Sequence, residues 1–280
     1  MDKTLYVSDL DGTLLGTDSR LSAATVEMLN RSIEAGVMFS VATARTPATV
    51  AEIFRDVHLR HPLVLMTGAV IWDPVANRYL MTRFHDEKTV REILALYRRK
   101  GFPTFIYTMR DNKIHIYHQG ALNDLERRFM EERIGNPFKE FHVGEDGESE
   151  LPERLDNVLL LFAMQPTAPG HEIFETVRRE GWNVSPMFYH DQNGPEFANM
   201  EVFPADATKA ATVRCLADSL GAERIVAYGD NFNDRPLLRI ADEAVAVDNA
   251  IPEVKEEVDR IIGPNTEDSV AKDILAAALS

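Results

Sequence analysis

The sequence lacks several features that would assign it to a specialised class of protein. Its 280 residues include a single cysteine, Cys215, which excludes an internal disulfide framework. We interpret this cysteine, which lies in a helix-like stretch, as a small core residue. No apolar run reaches the length of a transmembrane helix, and the N-terminus begins with a strand pattern rather than a signal sequence. These absences predict a cytoplasmic protein that does not enter a membrane.

Positive charge is also scarce. The chain has 30 lysines and arginines against 45 aspartates and glutamates, and its net charge is −15. This balance predicts that neither nucleic acid nor an anionic membrane surface is a partner. It also means that an anionic substrate would need local positive charge or a metal ion. The apolar fraction of 45% is sufficient for a substantial core, and the mixed charges argue against disorder.

Apolar strand segments alternate with helical segments at both ends of the chain. Thr4–Ser8, Val37–Ala42 and Leu63–Met66 are strand-like, with helices predicted after Ser22 and Thr46. The same alternation returns after about residue 208. Continuous apolar strands separated by helices predict an α/β fold with a parallel sheet that is covered on both faces.

The middle of the chain has a different pattern. A helix pattern over 86–100 precedes two alternating segments, 104–109 and 113–118, whose turn-rich link indicates a β-hairpin. Hairpins among helices predict an α+β unit with an antiparallel sheet, and the acid-rich segment 145–150 is interpreted as a solvated connection. We therefore predict a Rossmann-like core domain into which a second domain is inserted. Residues 1–82 and 191–280 form the core domain, and residues 83–190 form the inserted domain.

Functional groups in an open parallel sheet collect at the carboxyl ends of its strands. Polar side chains occur at these positions in the predicted core: Asp9 and Asp11 after the first strand, Thr43 and Arg45 after the second, Lys209 at a helix start, and Asp230, Asn233 and Asp234 after the strand that ends at Gly229. These segments are far apart in sequence. We expect the fold to bring them to one edge of the sheet.

Such an arrangement favours phosphoryl chemistry. Clustered carboxylates cannot remain ionised together without a cation, and the oxygen ligands of Asp9, Asp230 and Asp234 suit Mg²⁺. Lys209 and the Thr43 hydroxyl add donors for phosphoryl oxygens. One carboxylate can attack phosphorus to form an aspartyl-phosphate, while a second carboxylate moves the proton. Gly12 allows a sharp turn through which backbone N–H groups can approach the anion.

The motifs resemble those of a known superfamily. Asp9-Leu-Asp11-Gly-Thr13, Ala-Thr43-Ala-Arg45, Lys209 and Gly229-Asp230-Asn-Phe-Asn233-Asp234 follow the order of the four motifs of the haloacid dehalogenase (HAD) superfamily. The similarity continues almost to the C-terminus, and the chain resembles the Cof-type hydrolases, which carry a large α/β cap domain. The resemblance implies that residues 83–190 form a cap that closes over the substrate.

The resemblance also implies roles for individual residues. Asp9 would be the nucleophile and Asp11 the general acid and base. Phosphate would be bound by Thr43, Lys209, Asn233 and the backbone at Leu10, with Arg45 and Gly68 as substrate or cap contacts. Mg²⁺ would be held by Asp9, the backbone carbonyl of Asp11, Asp230 and Asp234.

The sequence departs from the Cof-type pattern at four positions. Ala44 replaces a usual glycine, Thr67 a common asparagine, Ala210 the glycine after the lysine, and Ser269 a glycine near the C-terminus. None of these positions has a proposed chemical role. The departures therefore concern substrate detail rather than reaction type.

We predict a Mg²⁺-dependent phosphatase that hydrolyses small phosphate monoesters, with sugar phosphates as the leading class and phosphorylated cofactors next. The predicted partner is thus a small phosphorylated metabolite, and we make no prediction of oligomeric state. Three alternatives remain open: a phosphomutase or phosphotransferase that uses the same phospho-enzyme, a regulatory phospho-acceptor that resembles a response-regulator receiver, and a binding protein without catalysis. In the inserted domain, Tyr107, His115, Tyr117, His118 and the segment 187–193 are candidate pocket residues, although packing is the simpler interpretation of each.

Overall fold

The structure, a computed structural model, describes residues 3–144, 149–191 and 194–279. Its contacts divide the chain into two compact units, Met1–Met81 with Thr208–Ser280, and Thr82–Ala207. We call the first the core unit and the second the inserted unit. The predicted solvated connection lies outside the described residues at 145–148, as do residues 192 and 193 of the candidate pocket segment.

The N-terminal part of the core unit contains five strands and two α-helices among the described residues. In chain order these are β1 (Thr4–Ser8), α1 (Ala23–Glu34), β2 (Met38–Val41), α2 (Pro47–Ile53), β3 (Leu63–Leu65), β4 (Val70–Asp73) and β5 (Arg78–Thr82). The Ser22 side chain caps α1 by accepting a hydrogen bond from the Thr25 N–H at 2.9 Å. Pro47 begins α2, where its missing N–H leaves no intrahelical bond unmade.

The inserted unit follows in sequence. Its elements are α3 (Glu87–Lys100), β6 (Thr104–Arg110), β7 (Lys113–Gln119), α4 (Asp124–Glu131), β8 (Lys139–His142), β9 (Val158–Pro166), α5 (Thr167–Arg179), β10 (Val184–Asp191) and β11 (Gly194–Pro204). Asp86 caps the start of α3, and Gly101 ends it in the left-handed conformation, with φ of 62°.

The chain then returns to the core unit. The remaining elements are α6 (Lys209–Leu220), β12 (Arg224–Gly229), α7 (Arg235–Leu238), β13 (Glu243–Val247), α8 (Pro252–Lys255), β14 (Arg260–Ile262) and α9 (Ser269–Ala278). A 3₁₀ turn, Phe232–Asp234, joins β12 to α7.

The main sheet of the core unit is parallel and has five strands in the order β14-β13-β12-β1-β2. β1 lies between β12 and β2, so that Ser8 pairs with Tyr228 on one side and with Val41 on the other. The predicted parallel α/β core is confirmed. Because all three strands run in the same direction, the residues that follow them emerge at one edge.

The prediction for β3 was wrong in its pairing. β3 forms a small antiparallel sheet in the order β3-β4-β5 and meets the main sheet through one parallel bridge, Ala42 with Val64. The chain reverses immediately after β3, where Met66, Thr67 and Gly68 have φ of 53°, 59° and 97°. This reversal brings β4 back beside β3 instead of sending the chain into a crossover helix.

The inserted unit contains a six-stranded sheet in the order β10-β11-β9-β6-β7-β8. Its pairs are antiparallel except for β7 with β8, which run parallel. The predicted α+β unit with an antiparallel sheet is therefore present. Its C-terminal boundary differs from the predicted residue 190, because β11 pairs with β9 and β10 and carries the chain to Ala207 within this unit.

Each unit has its own apolar core. Leu5, Val7 and Phe39 are fully or almost fully buried in the core unit, as are Ile93 and Tyr97 in the inserted unit. The prediction of a buried Cys215 was wrong, because the cysteine is exposed while the buried face of α6 carries other residues. Among the described helices, none has the length and apolarity needed to cross a membrane.

Candidate active site

Asp9 lies directly after β1, at the carboxyl edge of the main sheet. Its backbone N–H donates to the Tyr228 carbonyl at 3.0 Å, which fixes Asp9 beside the end of β12. Its side chain is only 8% exposed. The strand pairing therefore holds a carboxylate in a buried position at the end of the sheet.

Lys209 joins two of the predicted acidic residues. Its ammonium group donates to Asp9 Oδ1 at 2.6 Å and to Asp234 Oδ1 at 2.7 Å. All three side chains are buried. Lys209 is the first residue of α6, whose start is fixed by the Thr208 side chain, an acceptor from the Ala211 N–H. The helix start thus places a cation between two carboxylates that lie 225 residues apart in the chain, at positions 9 and 234.

Asp230 and Asp234 are organised by the turn after β12. Asp234 Oδ2 accepts from the backbone N–H groups of Asp230 and Asn231, at 3.1 and 3.2 Å. Asp230 Oδ1 accepts from the Thr13 hydroxyl at 2.7 Å, which links this turn to the segment after β1. The ligand oxygens of Asp9, Asp230 and Asp234 lie within 4.8 Å of one another.

The electrostatics of this cluster are unfavourable for three free carboxylates. Burial raises the pKa of Asp9, and the Asp234 charge raises it further, against the lowering effect of Lys209. Burial also raises the pKa of Asp230. Burial alone would lower the pKa of Lys209, but its contacts with Asp9 and Asp234 outweigh burial and raise it. A single ammonium group therefore compensates an acidic cluster only in part.

This donor set fits Mg²⁺. Three carboxylates converge on one region, and Mg²⁺ is bound in proteins by few carboxylates together with waters or phosphate oxygens. A divalent cation would supply the positive charge that the cluster lacks. Asp9, Asp230 and Asp234 are the residues that would hold it.

Asp11 has a different environment from Asp9. Its side chain is about half exposed and accepts two hydrogen bonds from Arg45, from Nε at 2.8 Å and from the terminal nitrogen at 2.5 Å. In this structure the Asp11 carboxylate thus belongs to an ion pair rather than to the group of three acids. The segment after β2 supplies the arginine, so the predicted substrate contact Arg45 orients the second aspartate.

The remaining predicted phosphate ligands lie on adjoining segments. Thr43 is buried after β2, and its hydroxyl accepts from the Arg45 N–H at 3.2 Å. The backbone of Leu10 bonds to the Asp9 carboxylate, while the Leu10 side chain is fully buried. Asn233 is exposed on the turn before Asp234. Their roles toward a phosphate stay predictions.

Gly68 is required by packing next to Lys209. A Cβ at this position would lie 2.3 Å from the Thr208 carbonyl oxygen, and its φ of 97° disfavours any other residue. The neighbouring Thr67 adopts a φ of 59°, which is strained for a β-branched residue, and its N–H donates to the Thr43 carbonyl at 3.0 Å. The asparagine common here in the Cof-type pattern tolerates this conformation better than threonine does.

Three residues at the site were not assigned a role from the sequence. Thr13 binds Asp230, Asn249 donates from Nδ2 to the Gly12 carbonyl at 2.7 Å, and the Thr212 hydroxyl donates to the Gly68 carbonyl at 2.7 Å. The position of Thr13 directly after Asp-Gly was a usable signal for it. Asn249 and Thr212 lie outside the motifs, and only the fold brings them to these backbone groups.

The histidine candidates of the inserted unit divide into two kinds. His118 is fully buried, with Nδ1 2.9 Å from the Gly120 carbonyl and Nε2 3.5 Å from a carboxylate oxygen of the buried Glu126. Gln165 donates to the other Glu126 oxygen at 3.0 Å. This network supports the packing interpretation of His118, as burial does for Tyr107. His115 lies in a different cluster on the sheet.

Comparison with known proteins gives concordant results. A family model described as haloacid dehalogenase-like hydrolase matches residues 6–274. The chain is 27% identical over 283 residues to 5-amino-6-(5-phospho-D-ribitylamino)uracil phosphatase YcsE of Bacillus subtilis, covering 98% of this chain and 95% of that protein. It is 25% identical to pyridoxal phosphate phosphatase YbhA of Escherichia coli, with 97% of each covered. A haloacid dehalogenase-like hydrolase from Bacteroides thetaiotaomicron shares the fold, with a TM-score of 0.75, 22% identity, and coverage of 99% of this chain and 100% of that one.

Proposed function

Because the chain belongs to the haloacid dehalogenase-like hydrolase family, we propose that it is a Mg²⁺-dependent phosphatase of small phosphate monoesters. One observation carries this proposal: the carboxylates of Asp9, Asp230 and Asp234 lie within 4.8 Å of one another, and the buried Lys209 ammonium group donates to two of them, Asp9 and Asp234. The named phosphatase activities of the relatives support it. The single cysteine is consistent with action in the cytoplasm.

Asp9 is the proposed nucleophile. Its carboxylate attacks the phosphorus atom, the bond to the leaving alkoxide breaks, and an aspartyl-phosphate results. Attack by water on this phosphorus then releases inorganic phosphate and regenerates the Asp9 carboxylate. Lys209, already within hydrogen-bond distance of Asp9, stabilises the negative charge on the phosphoryl oxygens, with Thr43 and the Leu10 backbone as further donors.

Asp11 is the proposed proton carrier. It protonates the leaving alkoxide in the first step and accepts a proton from the attacking water in the second. The ion pair with Arg45 holds the Asp11 carboxylate in a defined position. During the reaction the same carboxylate must also contact the oxygen that gains or loses the proton. Asp9, Asp230, Asp234 and the Asp11 backbone would hold Mg²⁺, which would neutralise phosphate charge and polarise the phosphoryl group.

The substrate class is proposed from chemistry and from the relatives. Sugar phosphates are the leading class, and the named activities of the relatives add a ribityl phosphate and pyridoxal phosphate to the compounds worth testing. We propose that the inserted unit acts as the substrate-specificity domain. Such a domain selects the leaving group and excludes water during phosphoryl transfer.

A phosphate-release assay tests the proposal. Purified protein is incubated with a panel of sugar phosphates, pyridoxal phosphate and the ribityl phosphate, with Mg²⁺ and then with EDTA. We expect release of inorganic phosphate with Mg²⁺, loss with EDTA and recovery on adding Mg²⁺ back. Hydrolysis that is indifferent to EDTA would contradict the metal site. Transfer of phosphate to a second hydroxyl without free phosphate would indicate a phosphotransferase, and a stable phosphorylated protein without turnover would indicate a regulatory module.

A further inference from the structure

A second cluster of metal-ligating side chains lies in the inserted unit, on the edge of its sheet. His115 on β7 is paired in register with Glu140 on β8, and Tyr117 is paired with His142. Because side chains alternate along a strand, His115 and Tyr117 share one face of β7, and Glu140 and His142 share one face of β8. The register therefore brings two imidazoles and one carboxylate together.

The donor atoms are close enough to share an ion. His115 Nδ1 lies 2.9 Å from His142 Nε2, and His142 Nε2 lies 3.8 Å from Glu140 Oε1. All three ligand atoms lie within 4.8 Å of one another. Ligands on one tetrahedral Zn²⁺, each about 2.0–2.1 Å from the metal, are separated by roughly 3.3 Å. The two measured separations fall on either side of that value and the third is at most 4.8 Å, so rotation of the side chains would bring the three ligand atoms around one ion.

We propose that His115, Glu140 and His142 form a Zn²⁺-type metal site that is separate from the carboxylate cluster of the core unit. Two imidazole nitrogens and one carboxylate oxygen favour a transition-metal dication over Mg²⁺, which prefers oxygen ligands alone. Three protein ligands leave one tetrahedral position for water. The site does not depend on the proposed phosphatase activity.

Neighbouring residues already orient two of the ligands. The Lys113 ammonium group donates to Glu140 Oε2 at 2.9 Å, which leaves Oε1 as the oxygen on the His142 side. The Tyr117 ring stacks on the His142 ring, with centroids 4.7 Å apart and planes 16° apart. Contacts of this kind hold metal ligands in a fixed orientation in known sites.

The charged side chains near His115, Glu140 and His142 do not give the site a surplus of negative charge. Lys113 offsets Glu140, and Arg110 lies near Asp111 at 3.6 Å. Affinity must therefore come from the imidazole ligands rather than from a surplus of negative charge. His115 is buried, whereas Glu140 is exposed, so an ion can enter from the solvent side.

The bound ion would act as a clamp on the edge of the sheet. β8 has four residues and pairs only with β7 among the described strands of its sheet. One ion held by His115 of β7 and by two residues of β8 would fasten the short edge strand. We therefore expect Zn²⁺ to raise the thermal stability of the full-length protein.

Direct titration with Zn²⁺ tests the site. The full-length protein is stripped with a chelator, transferred to excess Mg²⁺ to occupy the carboxylate cluster, and titrated with ZnCl₂ by calorimetry. We expect one equivalent of Zn²⁺ to bind despite the Mg²⁺, and Co²⁺ in its place to give a visible absorption band. No binding of Zn²⁺ under these conditions would overturn the proposal and leave the histidine pair as a hydrogen bond alone.

Matched variants assign the ligands. His142→Ala should abolish the Zn²⁺ heat and the Co²⁺ band, and the exposed Glu140→Gln should weaken Zn²⁺ binding at least tenfold. His171→Ala removes an exposed histidine of the same unit, and Asp230→Asn removes an acid of the core cluster; both should bind Zn²⁺ as the parent does. Parent-like binding by His142→Ala or by Glu140→Gln would overturn the three-ligand site. Glu140 is exposed, so its variant serves even if His142→Ala does not fold.

Discussion

The two units bury charged side chains in opposite ways. In the core unit, the buried acids Asp9 and Asp234 share one lysine, and the partly buried Asp230 adds a third carboxylate. In the inserted unit, the buried Glu126 receives hydrogen bonds from Gln165 and from the Asn123 backbone, with His118 beside it. The carboxylates of the first cluster lack enough positive charge, whereas both oxygens of the Glu126 carboxylate accept hydrogen bonds from neighbouring residues.

The difference indicates a catalytic role for the acidic cluster of the core unit and a structural role for the Glu126 cluster of the inserted unit. Burying like charges together costs stability, and such clusters occur where a site must bind a cation or an anion. Burying a carboxylate among donors costs little and fixes the local structure, as the Asn123–Glu126 capping box does at the start of α4. Substitutions in the two clusters should therefore affect different measurements.

The largest effect is expected at Asp9. Asp9→Asn removes the nucleophile but leaves an amide oxygen that accepts from Lys209, so the fold should persist. We expect phosphate release to fall by at least roughly a thousandfold, with little change in melting temperature. The exposed Asp18→Asn is the control and should behave as the parent. Near-normal turnover in Asp9→Asn would contradict the covalent mechanism. It would also contradict the catalytic role assigned to the acidic cluster of the core unit.

Asp11→Asn should have the next largest effect. Loss of the proton carrier is expected to lower turnover by about 10²–10⁴-fold, because both chemical steps need proton transfer. Quench experiments that measure phosphorylated protein would show which step is slower. Arg45→Gln keeps the acid and removes its ion-pair partner, and so separates proton transfer from positioning. Equal rates for Asp11→Asn and the parent would refute the proton-transfer role.

Glu126→Ala should affect stability rather than turnover. The change leaves Gln165 and the Asn123 N–H without their acceptor in a buried position, which should cost about 2–4 kcal/mol of the free energy of unfolding. Denaturant unfolding measures the loss, and Glu126→Gln, which keeps shape and one acceptor, should lose less. A large loss of turnover in the folded Glu126→Ala variant would contradict the purely structural role of the Glu126 cluster.

A smaller effect is expected at Glu201, through pH. Burial raises the pKa of Glu201 to about 7, against a usual value near 4.5. The unfolded chain therefore loses this proton first as pH rises, and the contribution of the group to stability is lost between about pH 4.5 and 7.

Glu201→Gln abolishes this titration. Relative to the parent, the variant should be more stable at pH 8 than at pH 5, by roughly 1–3 kcal/mol. Unfolding in denaturant at both pH values measures the difference, and the exposed Glu180→Gln should show no such change. A variant whose relative stability is the same at both pH values would exclude a raised pKa for Glu201 in the folded protein.

Local signals in the sequence predicted most of the elements. The helix after Ser22 and the helix pattern over 86–100 were predicted because capping and apolar spacing depend on residues within one or two turns. The antiparallel β3-β4-β5 sheet was missed because its reversal depends on left-handed backbone at Met66 and Thr67, which neither residue favours. The edge strand β8 was missed because it has only four residues, of which two are charged.

The candidate site was predicted to a similar depth. The rule that strand ends share one edge was sufficient to place Asp9, Asp230 and Asp234 together, and Lys209 was added from its position at a helix start. The ion pair between Asp11 and Arg45 was not predicted, because the direction of a side chain after a strand depends on tertiary contacts. The cluster of His115 and His142 depends on the register of β7 with β8, which no local pattern specifies.

The core unit is discontinuous, and this has a consequence for synthesis on the ribosome. β1 is translated before the inserted unit, whereas its neighbour β12 and the residues Lys209, Asp230 and Asp234 follow more than 120 residues of inserted chain. The edge of β1 that pairs with β12 therefore stays unpaired until β12 has been made, whereas the contiguous inserted unit can already fold. Activity can arise only after β12 has been translated and has paired with β1.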